Sequence, residues 1–334
     1  MAKFPPSDIV ALLDHNPTFN LGESTSQDLV LGEILDADAI ERLGQVRLGY
    51  GPSLGDADLR QEVATNHGVT AEQVLITVGG ASALCMIAFV LCDPGDTIVV
   101  AAPNFPPTLD VMGAVGADLV PLRLDFDAGY RFSINALRAV LTPATKLVSF
   151  TTPHNPSGRI VSADECRAVL DCMAEICSEA YLVVDESYRE TVYGNSAAPP
   201  SAAALSPRVI TSASVSKCRG APGLRIGWLT CLDEALFEQL ALAKLNTVLS
   251  CPVVDELLAL CCIRLRPDIY ADTDVDRFFA RLQVNDAMVT EGRWFGDETR
   301  VFRLGFGFLP IDMLDGALAA VARALDEARP ASAA

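Results

Sequence analysis

The chain is poor in histidine, with three in 334 residues, and in tryptophan, with two. It is also short of basic residues. Lysine and arginine number 25 against 43 aspartates and glutamates, for a formal net charge of −18. A protein that grips duplex DNA or RNA needs a basic footprint, and this balance excludes one. The acidity suits a soluble, cytoplasmic protein. No apolar run reaches the roughly 20 residues that span a bilayer. Residues 81–92 stop at Asp93-Pro94-Gly95, and residues 240–263 are broken by Lys244, Asn246, Pro252, Asp255 and Glu256. No apolar segment follows Met1-Ala2-Lys3-Phe4-Pro5-Pro6, so no secretory signal is expected. The ten cysteines contain no Cys-x-x-Cys pair, and with so few histidines no metal site is expected. They read as reduced, buried small hydrophobes.

What is present is core. Half the residues are hydrophobic and a fifth are charged, the opposite of a disordered chain. Short β-branched runs at 73–77, 97–102, 118–124, 146–152, 181–185, 209–214 and 225–230 read as strands buried on both faces. Helical patterns lie between them, as at 81–91, 163–177 and 235–248. Ser162 caps the second of these, with Glu165 three residues on. The alternation predicts an α/β fold, a seven-stranded mainly parallel sheet flanked by helices. We place a large domain at 31–249. A smaller α+β domain is expected from 1–30 and 250–334, with strand-like runs at 287–290 and 301–306, an amphipathic helix at 311–328 and a frayed end at 329–334.

Several polar residues at predicted strand ends call for chemistry. Lys217 follows Ser214-Val215-Ser216, and Arg225 opens the next apolar run. Two cations and a hydroxyl on neighbouring strand ends make an anion pocket, and a lysine that loses its proton can form a Schiff base. Asp185 ends the most apolar strand, with Tyr188 three residues on. Asn155 enters an Asn-Pro-Ser-Gly turn after another strand. Each has an ordinary alternative: a surface loop lysine, a structural acid, a turn.

Taken in order, these residues resemble the class I/II aminotransferases, fold-type I pyridoxal-phosphate enzymes. The motifs are Tyr50 to Arg60, Gly79-Gly80, Pro94-Gly95-Asp96, Asn155-Pro156-Ser157-Gly158, Asp185-x-x-Tyr188, Ser214-x-Ser216-Lys217, the run from Gly220 to Gly227, and Phe302-Arg303-Leu304. The resemblance implies pyridoxal 5′-phosphate on Lys217 as a Schiff base, with Lys217 later shuttling the substrate Cα proton. Asp185 would pair with the pyridinium nitrogen, and Asn155 and Tyr188 with the phenolic oxygen. Phe105 would stack on the ring. The amides of Gly79, Gly80 and Ala81, with Ser214, Ser216 and Arg225, would hold the phosphate. Arg303 would clamp the substrate carboxylate, with Asn155 and Gly22 beside the substrate. Tyr50 would reach the phosphate of the other subunit in a homodimer with shared active sites.

One departure stands out. Arg303 lies only 86 positions after Lys217, and the family's Pro-x-Gly-x-Phe-Tyr-like motif is missing, which implies an abridged C-terminal small domain. The resemblance implies transamination between a small amino acid and a 2-oxo acid. Elimination, cyclisation or oxidation on the same cofactor, and a non-catalytic cofactor-binding remnant, stay open.

Overall fold

A computed structural model describes residues 20–191, 197–264, 290–291, 295, 302–305 and 307–327. Seven runs of the chain form one sheet: β1 (Val74–Thr77), β2 (Thr97–Ala102), β3 (Asp118–Arg123), β4 (Thr145–Thr151), β5 (Tyr181–Asp185), β6 (Val209–Ser214) and β7 (Gly227–Cys231). Their order is β1-β7-β6-β5-β4-β2-β3. The block β6-β5-β4-β2-β3 is parallel throughout, while β7 runs antiparallel to both β6 and β1. This is the expected mainly parallel sheet.

Period-2 alternation explains why both faces are covered. Val99, Val148, Leu182 and Val184 point to one face and pack with Val169, Cys166 and Met173 of the helix Ala163–Ile176. Ile98, Leu147, Val183, Ile210 and Leu229 point to the other. They pack against Leu84 and Ile87 of the helix Gly79–Leu91 and Leu236 and Leu240 of the helix Glu234–Thr247. Ser162 begins its helix as predicted, accepting from the Glu165 amide at 3.2 Å while Glu165 takes the Ser162 amide at 2.9 Å.

Strand β3 corrects the sequence reading. It is the sheet's edge, and only Leu122 along it is buried. Pro121 has no N–H to offer a further strand, which suits an edge and blocks pairing beyond it.

Lys244 is a second correction. A lysine on a largely apolar helix is expected to snorkel to solvent, yet Lys244 is 1% exposed and its ammonium group has no hydrogen-bond partner. Burial lowers its pKa, with Cys251 and Glu256 of the following segment and Arg60 within electrostatic reach. Glu256, also 1% exposed, opens the helix Val253–Arg264 and accepts from the Asp56 amide at 3.0 Å. Burial pushes its carboxyl from 4.5 up to about 7. An acid with a raised folded pKa holds its proton more tightly when folded. Its contribution therefore favours the folded state at low pH and is lost as pH rises from about 4.5 to about 7. Glu256→Gln keeps an acceptor for Asp56 and removes the titration. Its melting temperature should fall less than the parent's across that window, a difference worth up to about 3 kcal/mol. Thermal melts at several pH values check this.

Contacts divide the chain into two compact units. Of the described residues, the first holds 29–191 and 198–264, so the helix Val253–Arg264 belongs with the sheet rather than beyond a boundary at 249. That helix packs on the helix Ala57–His67, burying Leu258 and Ala259 in a cluster with Leu59 and Val63. The second unit holds 20–28 and the described residues from 290 onward. There β8 (Thr290–Glu291) pairs antiparallel with β9 (Phe302–Arg303), and the helix Ile311–Glu327 buries Ala317 and Leu318 against Leu21 and Leu309. The expected frayed end at 329–334 and most of the 265–300 segment, where the abridgement is expected, lie outside the described residues.

Candidate active site

The topology gathers the predicted residues of the first unit, Tyr50 excepted, on one edge of the sheet. Strands β2, β4, β5 and β6 are parallel, so Phe105, Asn155, Asp185 and Ser214–Lys217 all follow carboxyl ends at that edge. Because β7 is antiparallel, its start meets the end of β6: Ser214 is paired with Gly227. Thr77, the end of β1, is paired with the same glycine. Arg225 and Gly79 therefore arrive at the edge too. Ligands of open α/β sheets bind outside the carboxyl ends of the strands.

The anion half of the site is built from the helix Gly79–Leu91, which begins two residues before the predicted start. Gly79 has φ +72°, a conformation that costs glycine least. The amides of Gly79, Gly80 and Ala81 are in the first turn and have no carbonyl four residues back to bond. A Cβ on Gly79 would lie 2.5 Å from the Arg225 guanidinium, so the arginine lies across the helix start. Arg225 is itself left-handed at φ 53° and donates to Pro222 O at 2.9 Å and Ser216 Oγ at 3.4 Å. Ser214 is buried and accepts from the Ser216 amide at 3.3 Å. Gly227 lets strand and helix approach: a Cβ there would meet backbone atoms of Gly79, Gly80 and Ala213 at 2.6–2.8 Å. Gly227→Ala should destabilise the fold by about 1–3 kcal/mol through overpacking. A denaturant melt checks this.

The other half surrounds Asp185. Burial pushes its carboxyl up, a rise opposed by hydrogen bonds from the Ser187 hydroxyl at 2.6 Å and amide at 3.0 Å. Glu186 adds to the rise, and Lys217 opposes it. A carboxylate held short of compensating charge suits a cationic partner. Asn155, 7% exposed, donates to the Tyr188 hydroxyl at 3.4 Å. Lys217 is half-buried, and among the described residues its ammonium makes no hydrogen bond or ion pair. Phe105 is half-buried at the start of the helix Pro106–Gly113. Tyr50 stands apart, 89% exposed.

In the second unit, Arg303 donates to Gly22 O and lies 4.9 Å from the Phe295 ring centroid. Asn20 Oδ1 turns the chain there by accepting from Gly22 and Glu23. The two predicted substrate residues of this unit thus meet.

His154 bonds Ser157 and Pro103 O, the positional role its place suggests. Glu186 and Arg189 pair with each other, three residues apart, within a larger buried cluster that no sequence motif marks. It includes His67, Ser201 and Trp228. Trp228 and His67 are 161 residues apart, and no spacing signal joins them.

The protein-family model described as aminotransferase class I and II matches residues 16–282. Arginine–pyruvate transaminase of Pseudomonas aeruginosa is 33% identical over 57% of this chain and 50% of its own length. Capreomycidine synthase of Streptomyces vinaceus is 32% identical over 76% of this chain and 62% of its own. The chain thus spans about half to two-thirds of these relatives. A PLP-dependent aminotransferase of Streptococcus suis superposes with TM-score 0.85 at 20% identity, covering 98% of this chain and 100% of that one. Thermotoga maritima aspartate aminotransferase gives 0.84 at 19% identity, over 97% and 98% of the two chains. At such identities the likeness shows the fold alone, and that fold is type I.

Proposed function

From the membership of this chain in the class I and II aminotransferases, a family that uses pyridoxal 5′-phosphate, we propose that it is an aminotransferase acting on a small amino acid and a 2-oxo acid. The observation that carries the reading is the convergence at one sheet edge of a lysine, a carboxylate short of compensating charge, an Asn–Tyr pair and an arginine laid over a helix start. The donor set fits the cofactor. Arg225, Ser214, Ser216 and the amides of Gly79, Gly80 and Ala81 would take its dianionic phosphate. Asp185 would take the ring nitrogen, which supplies the positive charge its own site lacks. Asn155 and Tyr188 would bond the phenolic oxygen, and Phe105 would cover a ring face. Lys217 would hold the cofactor covalently through its amine.

When bound, pyridoxal phosphate supplies an electron sink that makes the substrate Cα–H acidic. The chain's own contribution is position and proton transfer. Lys217 Nζ would take the substrate Cα proton and return it as general acid. Asp185 would keep the ring nitrogen protonated. Arg303 would take the substrate carboxylate in a two-pronged bond, with Gly22 beside it. Arg303→Lys keeps the charge and loses the fork. It should weaken amino-acid binding by about 2–3 kcal/mol while leaving cofactor binding unchanged, as read by substrate and cofactor titrations of the same variant.

We assign the working form to a homodimer with shared sites, in which Tyr50 reaches the partner's phosphate. Exposed apolar side chains support this. Val30, Leu31, Ile40, Leu48 and Tyr50 fall in one short stretch, and Leu242, Leu245, Val248 and Leu249 in another. Mixing Lys217→Ala chains with Tyr50→Ala chains should restore activity, because one site of each mixed dimer is then intact. An active monomer in sedimentation would overturn the assignment.

A second reading keeps the cofactor and diverts the reaction to elimination, cyclisation or oxidation. The resemblance to a relative named a synthase rather than a transaminase favours keeping it in view. Pure protein loaded with pyridoxal phosphate and given single amino acids, without oxo acid, separates the two. Stoichiometric amination of the cofactor supports transamination. Turnover with ammonia release or a cyclised product, the cofactor staying unaminated, supports the second reading.

A further inference from the structure

Both hydrogen bonds that the Asp185 carboxylate receives come from one residue and go to one oxygen. The Ser187 hydroxyl donates to Asp185 Oδ1 at 2.6 Å, and the Ser187 amide donates to the same atom at 3.0 Å. Among the described residues nothing bonds Oδ2. A carboxylate can accept on both oxygens. Here Oδ1 is tied back to the chain and Oδ2 is left for a ligand.

The serine is itself held in place. Its amide bond to Oδ1 closes a short turn of the kind in which an aspartate accepts from the residue two positions on. Cys218, the residue after Lys217, donates its thiol to Ser187 O at 2.9 Å. Thr191 Oγ1 lies 3.9 Å from the same sulfur. A Cβ on Gly80, in the first turn of the helix Gly79–Leu91, would lie 3.9 Å from Ser187 Oγ. Ser187 therefore borders three parts of the candidate site at once. It meets Asp185 through its hydroxyl and amide, the turn of Lys217 through its carbonyl, and the anion-binding helix start through its side chain.

We infer that Ser187 is a positioning residue for Asp185: it pins Oδ1, stabilises the ionised carboxylate and so presents Oδ2 to a cation at the sheet edge. That role deepens the reading of Asp185 as the partner of the pyridinium nitrogen and rests on it. The terminal torsion of an aspartate is soft, so without the hydroxyl only the amide bond would resist exchange of the two oxygens. Hydrogen bonds to a charged form also favour that form. The two from Ser187 oppose the burial that pushes the Asp185 carboxyl up. Few other groups can do so. The residues paired with Asp185 on the flanking strands, Thr151 and Ser212, are uncharged. Of the charged groups, Glu186 adds to the rise and Lys217 opposes it. The Tyr188 hydroxyl accepts from Asn155.

The test is Ser187→Ala, with Ser187→Thr as the variant that keeps the hydroxyl, read first in the protein without cofactor. The side-chain carboxyl carbon of Asp185 is followed against pH and assigned by its loss in Asp185→Asn. In Ser187→Ala the midpoint should rise by about one pH unit, the scale of one hydrogen bond to a charged group. In Ser187→Thr it should stay near the parent's. With pyridoxal phosphate bound, the ring-nitrogen resonance of the alanine variant should move toward the unprotonated form. Its kcat should fall about tenfold with the KM for the amino acid little changed, because Arg303 is untouched. An unchanged Asp185 midpoint in a folded alanine variant overturns the inference, and so does a threonine variant that titrates like alanine. If the alanine variant does not fold, the Ser187 hydroxyl proton of the parent decides. A slowly exchanging proton whose signal shifts at the Asp185 midpoint supports the inference, and a hydroxyl in free exchange with water overturns it. Absence of pyridoxal phosphate binding in the parent would overturn the reading of the site, and the cofactor-free titration would still decide whether Ser187 acts on Asp185.

Discussion

Lys217→Ala should abolish turnover while leaving the fold intact. Lys217 is half-buried in the turn after β6, outside the core clusters, and among the described residues its ammonium makes no hydrogen bond or ion pair. Its removal therefore costs no packing and breaks no network, so the melting temperature of the cofactor-free protein should change little. The loss falls on chemistry. A lysine that carries the cofactor and moves the Cα proton supplies both attachment and general acid–base catalysis, the second alone worth typically 10²–10⁴-fold. Pyridoxal phosphate should still bind, through Arg225, Ser214 and the helix start, but without a covalent link. The visible spectrum checks this: the parent's protein-linked band should be replaced by that of free aldehyde. An alanine variant with parental turnover would remove the basis of the account.

Asp185→Asn should lower kcat by on the order of 10²-fold or more, the scale of removing one preorganised charge from an enclosed site. It should also raise the stability of the cofactor-free protein, and the sign follows from the direction of the pKa shift. Burial raises the Asp185 carboxyl above its ordinary value of 3.8. Its contribution to stability is present below that value and is lost as pH rises through the raised folded pKa. Asparagine keeps an acceptor for Ser187 and does not ionise, so the variant escapes that loss at neutral pH. Falling activity with rising stability is the signature of a group held in a costly state for function. Paired measurements of kcat and melting temperature check it, and a variant that loses both would mark Asp185 as structural.

The sheet was legible because its central strands are β-branched runs closed by turn residues. Residues 97–102, 181–185 and 209–214 are strands with the expected bounds. Position within the sheet was less legible. The run at 118–123 reads as an interior strand by its apolar residues, although Pro121 already signals an edge, and pairing with β2 alone makes it one. Lys244 is a different case. Its helix is apolar enough to suggest a long side chain reaching for water, but Glu256 and Cys251 return over it, a tertiary fact with no local signal.

For the candidate site, the strand-end residues could be read because their types are wrong for a core. A lysine, an aspartate and an arginine beside apolar runs ask for a reason. Gly79 could be singled out by motif, but its φ of +72° and the Arg225 guanidinium over it come from the antiparallel turn-back of β7. No sequence signal joins His67 to Trp228, and only the packing of the helix Ala57–His67 against the sheet shows that they meet.

The most direct test of the central claim is to treat purified protein loaded with pyridoxal phosphate with borohydride and map the modified peptide by mass spectrometry. One pyridoxyl group per chain, on Lys217, is the expected result. Modification of another lysine, such as the buried Lys244, or no modification at all, would contradict it.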